Sequence, residues 1–152
     1  MASLAFIYAD QRSPQAKEHI NARIKYREKY RPFAPAVLHE KSHRYFHVPE
    51  GYMSNYMEKV VSVREEFREK LPAITHVDGS GRLQTVQREH NPVFHGIISQ
   101  FEEITSYPVV LNTSFNLNGE PIVLSPIDAL STFYSSGLEH LFLGNYYVTK
   151  CL

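Results

Sequence analysis

The chain has 152 residues, which is enough for one domain with a buried core. Its 16 Lys and Arg residues balance 16 Asp and Glu residues, which argues against a broad basic surface for nucleic acid. No apolar run approaches the ~18 residues of a membrane span, so no transmembrane helix is predicted. The one cysteine, Cys151, cannot form an internal disulfide, and no signal-peptide pattern opens the chain, which favours a cytoplasmic location.

The first half of the chain is predicted to contain both strands and helices. Ser13 and Pro14 form an N-cap followed by a proline at the first helical position, and Pro32 disfavours helical geometry at the residue before it. The predicted elements are a strand over 4–8, a helix from Pro14 to about Tyr30, a strand over 33–39, a helical turn over 42–46 and an irregular stretch over 48–57. Residues 1–3 are expected to be an artificial start.

The second half of the chain is predicted to contain a pair of antiparallel strands as well as further strands and helices. Its predicted elements are a hairpin of 73–78 and 82–86, a helix over 92–105, strands over 108–111 and 120–124, a helix from Pro126 to about Ser136 and a last strand over 140–149. Helices alternate with strands, whereas the hairpin brings in antiparallel neighbours. The pattern therefore predicts a single α/β domain with a mixed sheet and helices packed on it.

Polar side chains follow the apolar strand candidate that ends at Leu111. The run contains Asn112, Thr113, Ser114 and Asn116, whose hydroxyl and amide groups can bond phosphate oxygens, a ribose or a small amide ligand. Such groups at the end of a buried strand are typical of a ligand site. A plain turn is the alternative, because Asn and Ser also favour turns.

A basic segment far upstream is the second candidate site. Lys25, Arg27, Lys29 and Arg31 supply four cations within seven residues. Arginine can hold phosphate or carboxylate bidentately, while lysine acts as a compact charge. A solvated helix end is the alternative, and the rigid continuation after Arg31 argues against it. With the polar run, the segment suggests two halves of an anion or nucleotide site.

His76 and Asp78 alternate onto one face of the predicted hairpin, with Arg82 across the turn. They could bind a metal ion, bind a phosphate-bound magnesium ion or transfer a proton, or they could simply close the hairpin with hydrogen bonds. No metal site is predicted at His39, His43 and His47, because these histidines, spaced by four residues, lie outside any continuous predicted helix. The chain also lacks a Walker loop, a GxGxxG motif and a GxSxG elbow.

Several ordered blocks resemble the C-terminal domain of the O-carbamoyltransferases, which include nodulation-factor and antibiotic carbamoyltransferases. These blocks are Ile20–Pro35, Thr75–Val86, Leu111–Pro121 and Ser136–Tyr146. The resemblance extends from about Ala9 to Lys150. It implies a YrdC-like fold with a twisted mixed sheet, similar to threonylcarbamoyladenylate synthases, whose pockets carry a Lys-x-Arg and a Ser-x-Asn element. Lys25-Tyr26-Arg27 and Ser114-Phe115-Asn116 match these elements.

The resemblance implies that the domain uses ATP, magnesium and carbamoyl phosphate to form carbamoyl-adenylate and pyrophosphate. Lys25 and Arg31 are expected to be the catalytic groups, acting on phosphate or carbamoyl oxygens without a side-chain nucleophile. The residues expected to bind ATP or carbamoyl-adenylate are Arg27, His76, Arg82, Asn112, Thr113, Ser114 and Asn116.

The resemblance also implies a partner, a separate N-terminal metal-binding domain that passes the carbamoyl group to a substrate hydroxyl. Nothing in this sequence corresponds to that domain, so complete transfer by this chain alone is not expected. Family members usually carry an arginine just before the first strand, where this chain has Leu4 or Ala5. The alternative is a non-catalytic YrdC-like module that binds a nucleotide or RNA, although zero net charge argues against a broad nucleic-acid surface.

Overall fold

The computed structural model describes residues 6–28 and 31–150. The strands are β1 (Phe6–Ala9), β2 (Ala34–Leu38), β3 (Lys59–Ser62), β4 (Ser80–Val86), β5 (Val109–Ser114), β6 (His140–Leu143) and β7 (Tyr146–Thr149). The helices are α1 (Pro14–Arg23), α2 (Ser42–Tyr45), α3 (Glu65–Arg68), α4 (Pro92–Thr105) and α5 (Pro126–Tyr134). Among these helices, none has the length and apolar composition needed to cross a bilayer.

A five-stranded sheet has the order β1-β5-β2-β4-β3. β2 runs parallel to β4, with Ala36 opposite Gln84, and antiparallel to β5, with Ala36 opposite Val110. β3 runs antiparallel to β4. The predicted α/β class with a mixed sheet and helices is confirmed, and the architecture is consistent with a YrdC-like fold.

Contacts divide the chain into two compact units, and the first is called the sheet unit, residues 8–17 and 32–112. Its apolar core combines sheet residues with one face of α4, and the buried residues are Ala36, Leu38, Val86, Phe94, Ile98 and Val110. α4 occupies the predicted range, and the side chain of Asn91 caps it by accepting a hydrogen bond from Phe94 N at 3.1 Å.

The second unit, called the hairpin unit, contains the described residues among 1–7, 18–31 and 113–152. α5 begins with a capping box, in which Ser125 Oγ accepts from Asp128 N while the Asp128 carboxylate accepts from Ser125 N. The predicted single strand over 140–149 is wrong. β6 and β7 form an antiparallel hairpin, because Gly144 takes a φ of 59° and reverses the chain.

The predicted hairpin of 73–78 and 82–86 is also wrong. β4 has β3 on one side and β2 on the other, so neither edge of β4 is left for residues 73–78. These residues form turns instead, with Ile74 N donating to Leu71 O and His76 N donating to Ser80 O. The sequence pattern missed β3, a short and largely exposed strand.

Two further element predictions need correction. α1 ends at Arg23, well before the predicted end near Tyr30, because residues 24–28 make other contacts described below. Residues 120–124 are irregular, and Val123 N donates to Phe115 O in an isolated bond. The expectations for residues 1–3 and for Leu4 or Ala5 lie outside the described residues.

Candidate functional site

The ammonium group of Lys25 contacts the end of β5, although Lys25 and Ser114 are 89 positions apart in the chain. Lys25 Nζ donates to Ser114 O at 2.6 Å, Ser114 Oγ at 3.2 Å, Asn116 O at 3.0 Å and Asn116 Oδ1 at 2.7 Å. Ser114 Oγ also donates to Asn116 Oδ1 at 2.6 Å. The structure therefore brings together the Lys-x-Arg and Ser-x-Asn elements, and we call Lys25, Ser114 and Asn116 the lysine cluster.

The early end of α1 explains how Lys25 reaches this position. Lys25 N donates to Ile20 O rather than to the acceptor of a regular helix, which widens the last turn. Tyr26 then takes a φ of 44°, in the left-handed region that bulky side chains seldom occupy. As a result Lys25 is buried, with 5% of its surface exposed, whereas Tyr26 is 57% exposed. An unfavourable backbone conformation beside a buried cation is typical of a functional site.

Burial of Lys25 changes its protonation. Removal from water, reinforced by the positive charge of Arg27, lowers the pKa of Lys25 from 10.5 to about 8. The four oxygen atoms around Nζ carry no formal charge, so no carboxylate among them compensates the ammonium. A buried cation that has only neutral partners has a strong tendency to bind an anion.

A shallow depression of about 300 Å³ lies beside this segment, lined by Tyr26, Arg27, Glu28, Arg31 and Asn118. Arg31 Nε pairs with the Glu28 carboxylate at 2.9 Å, and both side chains are 51% exposed. Such an exposed pair contributes little stability and can open at low cost. Arg27 and Arg31 therefore line one open space, while their role in binding an anion stays a prediction, and Lys29 lies outside the described residues.

Sequence reasoning missed Asn21, which is fully buried in the last turn of α1. Asn21 Oδ1 accepts from Arg27 Nε at 2.7 Å, and Asn21 Nδ2 donates to Arg31 O at 3.0 Å. The sequence signal for a buried Asn21 is its position between Ile20 and Ile24, two apolar residues that are both buried.

The turn that follows β5 orders the other side of the lysine cluster. Asn116 Nδ2 donates to Glu120 O at 2.6 Å, so this amide is held at both ends. Glu120 N donates to Leu117 O, and Gly119 has a φ of 81°. The turn interpretation is wrong for Asn112, Thr113 and Ser114, which belong to β5, and the turn expected at Asn118 and Gly119 is present.

His76 and Arg82 lie in the sheet unit. Ser80 Oγ and His76 Nδ1 are 3.0 Å apart, and Ser80 also donates to the Asp78 carboxylate from N and Oγ. Burial lowers the pKa of His76. The negative charge of Asp78 raises this pKa in part, whereas the positive charges of Arg82 and Lys17 lower it further. His76 therefore favours its neutral form near neutral pH and can accept or donate a proton.

Asn112 and Thr113 are consecutive residues of β5. Asn112 is 1% exposed, and its Nδ2 donates to Gln84 Oε1 at 2.8 Å within the sheet unit. Asn112 Oδ1 is buried without a hydrogen-bond partner. Thr113 is partly buried and belongs to the hairpin unit. Their roles as ligand-binding residues remain predictions.

Gly137 supports the segment that carries Lys25. Gly137 N donates to Arg23 O at 2.9 Å, and a Cβ added at Gly137 would lie 2.7 Å from Arg23 Cβ. We expect Gly137→Ala to lower the free energy of unfolding by about 1–3 kcal/mol, because the end of α1 must shift to accommodate the methyl group. Urea denaturation measures this change.

Gly96 provides the matched control, since it lies inside α4 with nothing within 4 Å of its added Cβ. Gly96→Ala should raise the free energy of unfolding by about 0.5–1 kcal/mol through helix propensity. Equal effects of the two substitutions would show that the approach of Gly137 to Arg23 is not a tight contact.

The sequence matches known proteins along nearly its whole length. The family model described as "Carbamoyltransferase C-terminus" matches residues 5–150. Nodulation protein NolO of Bradyrhizobium diazoefficiens is 48% identical over 145 residues, covering 95% of this chain and 26% of that protein. Nodulation protein NolNO of Sinorhizobium fredii is 47% identical, covering 95% of this chain and 21% of that protein.

The similarity extends to archaea. An uncharacterized protein of Methanocaldococcus jannaschii is 38% identical over 144 residues, covering 95% of this chain and 23% of that protein. This chain thus spans about a quarter of the length of the curated relatives that it matches. On the match over residues 5–150, the chain belongs to the carbamoyltransferase C-terminus family.

Proposed function

We propose that this chain forms carbamoyl-adenylate from ATP and carbamoyl phosphate, as the adenylating part of an O-carbamoyltransferase. The observation that carries the proposal is the convergence of Lys25 with Ser114 and Asn116 in one set of hydrogen bonds. The family match supports a transferase, and the Lys-x-Arg and Ser-x-Asn elements support adenylation within that class.

The proposed chemistry needs positioning and charge rather than a nucleophilic side chain. Carbamoyl phosphate loses its phosphoryl group to water as inorganic phosphate, leaving carbamate. A carbamate oxygen then attacks the α-phosphorus of ATP, a P–O bond forms, and pyrophosphate leaves with the electrons of the broken bond. Negative charge accumulates on phosphate oxygens during this step, and oriented cations stabilise it.

The lysine cluster is suited to this role. Lys25 Nζ donates to neutral oxygens in the structure, and a phosphate or carbamate oxygen is a stronger acceptor than any of them. A ligand anion would therefore replace part of the present hydrogen-bond set, while Ser114 Oγ and Asn116 Nδ2 become donors to the same ligand. Arg27 and Arg31 in the depression would bind the remaining phosphate oxygens.

Magnesium enters this proposal with ATP. In the part of the chain that the structure describes, no group of three His, Cys, Asp or Glu side chains is arranged to hold a metal ion. The phosphate oxygens of ATP are themselves preferred ligands of Mg²⁺. The ion would neutralise phosphate charge, and the arginines would orient the complex. Transfer to an acceptor hydroxyl would require a metal-binding partner domain, on the same or a companion chain.

Titration calorimetry with ATP, with and without carbamoyl phosphate, tests the binding part of the proposal. We expect ATP to bind the wild-type chain and Arg31→Ala to weaken that affinity about tenfold, because a charged hydrogen bond contributes about 1.5 kcal/mol or more. Arg12→Ala is the matched control, since Arg12 is also surface-exposed and paired with a nearby carboxylate, Asp10. Its ATP affinity should equal that of the wild type.

Two results would contradict the binding proposal. One is an Arg31→Ala affinity equal to that of Arg12→Ala. The other is retention of RNA without ATP, with an affinity that collapses as salt increases, which would instead indicate the nucleic-acid-binding module.

A further inference from the structure

Asn21 joins α1 to both arginines of the depression. It is fully buried, and its amide is bonded at both ends, to Arg27 Nε through Oδ1 and to Arg31 O through Nδ2. Its backbone oxygen also accepts from Arg27 N at 3.0 Å. Hydrogen bonds from one buried amide to two separate segments constrain the arrangement.

We propose that Asn21 is a positioning residue that orients Arg27 and Arg31 for anion binding. The inference rests on the proposed function, because the anion is the polyphosphate of ATP. A hydrogen bond at Nε fixes the plane of the Arg27 guanidinium group. The bond to Arg31 O fixes the backbone from which the second guanidinium group extends. Recognition of phosphate by arginine depends on this orientation more than on charge alone.

An amide is the side chain that this position requires. Asn21 supplies one donor and one acceptor at the end of a short side chain, whereas aspartate supplies acceptors alone and alanine supplies neither. Asn21→Asp therefore keeps an oxygen for Arg27 Nε and loses the donor to Arg31 O. Asn21→Ala loses both of these bonds and adds no charge, so it is the variant that tests positioning alone.

The test measures binding of inorganic pyrophosphate and of ATP by calorimetry on the full chain. We expect Asn21→Ala to weaken both affinities at least about tenfold, as expected for losing an oriented charged contact. Asn21→Asp should also weaken them, because its carboxylate neutralises Arg27 and repels the anion. Ser54→Ala is the control for loss of a buried hydrogen bond, because Ser54 Oγ donates to Leu83 O at 2.8 Å in the sheet unit. It should lower the melting temperature and leave both affinities within about twofold of wild type.

NMR of arginine Nε–H groups provides a readout that a purely structural role would not change. The Arg27 Nε–H signal should be protected from exchange in the wild type and in Asn21→Asp, lost in Asn21→Ala, and shifted by pyrophosphate in the wild type. Absence of that shift would overturn the inference even if Asn21→Ala fails to fold.

A mutant cycle shows whether Asn21 acts through the arginines. In the Arg27→Ala, Arg31→Ala background, adding Asn21→Ala should change pyrophosphate affinity less than about twofold. An Asn21→Ala affinity equal to that of the wild type would overturn the inference and leave the proposed function intact. A wild-type chain that binds neither ATP nor pyrophosphate would overturn both.

Discussion

Replacing Lys25 with methionine should abolish release of pyrophosphate from ATP in the presence of carbamoyl phosphate. Methionine preserves most of the buried volume but removes the cation that contacts Ser114 and Asn116. Removing one preorganised donor from a site where charge develops typically costs about 10²–10³ in rate. We therefore expect at least a hundredfold loss, measured with a coupled assay for pyrophosphate.

Lys150 provides the matched control for this experiment. It belongs to the same unit, is partly buried, and its Nζ donates to Ser136 O and lies over the Phe133 ring. Lys150→Met should reduce thermal stability and leave the rate per folded molecule unchanged. If Lys25→Met and Lys150→Met release pyrophosphate at equal rates, the lysine cluster has no role in the reaction.

Stability should depend on pH through Lys25. Its pKa is about 8 in the folded chain, against 10.5 for an ordinary lysine. Between these values the unfolded chain binds a proton that the folded chain does not, so the free energy of unfolding rises with pH across this window. Below the window both states are protonated, and the folded state bears the full cost of the buried ammonium.

The difference between wild type and Lys25→Met isolates this effect, because other titrating groups are common to both proteins. From about pH 7.5 to about pH 10, the wild type should gain about 1–2 kcal/mol relative to Lys25→Met, allowing for solvent screening. Urea denaturation at a series of pH values measures the gain. A constant difference would mean that Lys25 keeps its ordinary pKa in the folded chain, and a falling difference would mean that folding raises it. In the wild type, ATP affinity should fall above about pH 8, where Lys25 loses its charge.

Local sequence signals predicted much of the architecture. The cap and proline at Ser125 and Pro126 and the apolar spacing of residues 92–105 gave the positions of α5 and α4, because these signals act within one or two helical turns. The hairpin over 73–86 failed for a non-local reason, since the alternating pattern of β4 is satisfied by β2 and β3 on its two sides. Alternation predicts a strand but does not identify its partner.

The same distinction applies to the site. Lys25, Ser114 and Asn116 were predicted from their motifs, and the hydrogen bonds between them confirm that they meet. The early end of α1 at Arg23 and the left-handed Tyr26 were not predicted, because these features depend on contacts with distant parts of the chain. Asn21 was missed because its one signal, a polar residue between two isoleucines, does not identify the arginines that it contacts.

Identification of the labelled product decides whether this chain forms carbamoyl-adenylate. The purified chain is incubated with ATP, Mg²⁺ and radiolabelled carbamoyl phosphate, and the products are separated by chromatography. With the label on the carbamoyl carbon, we expect it in a carbamoyl-adenylate fraction, with pyrophosphate formed in equal amount and only when carbamoyl phosphate is present. Two results would contradict the proposed reaction. One is conversion of ATP to ADP and phosphate, and the other is binding of both substrates without any labelled carbamoyl group in the adenylate fraction.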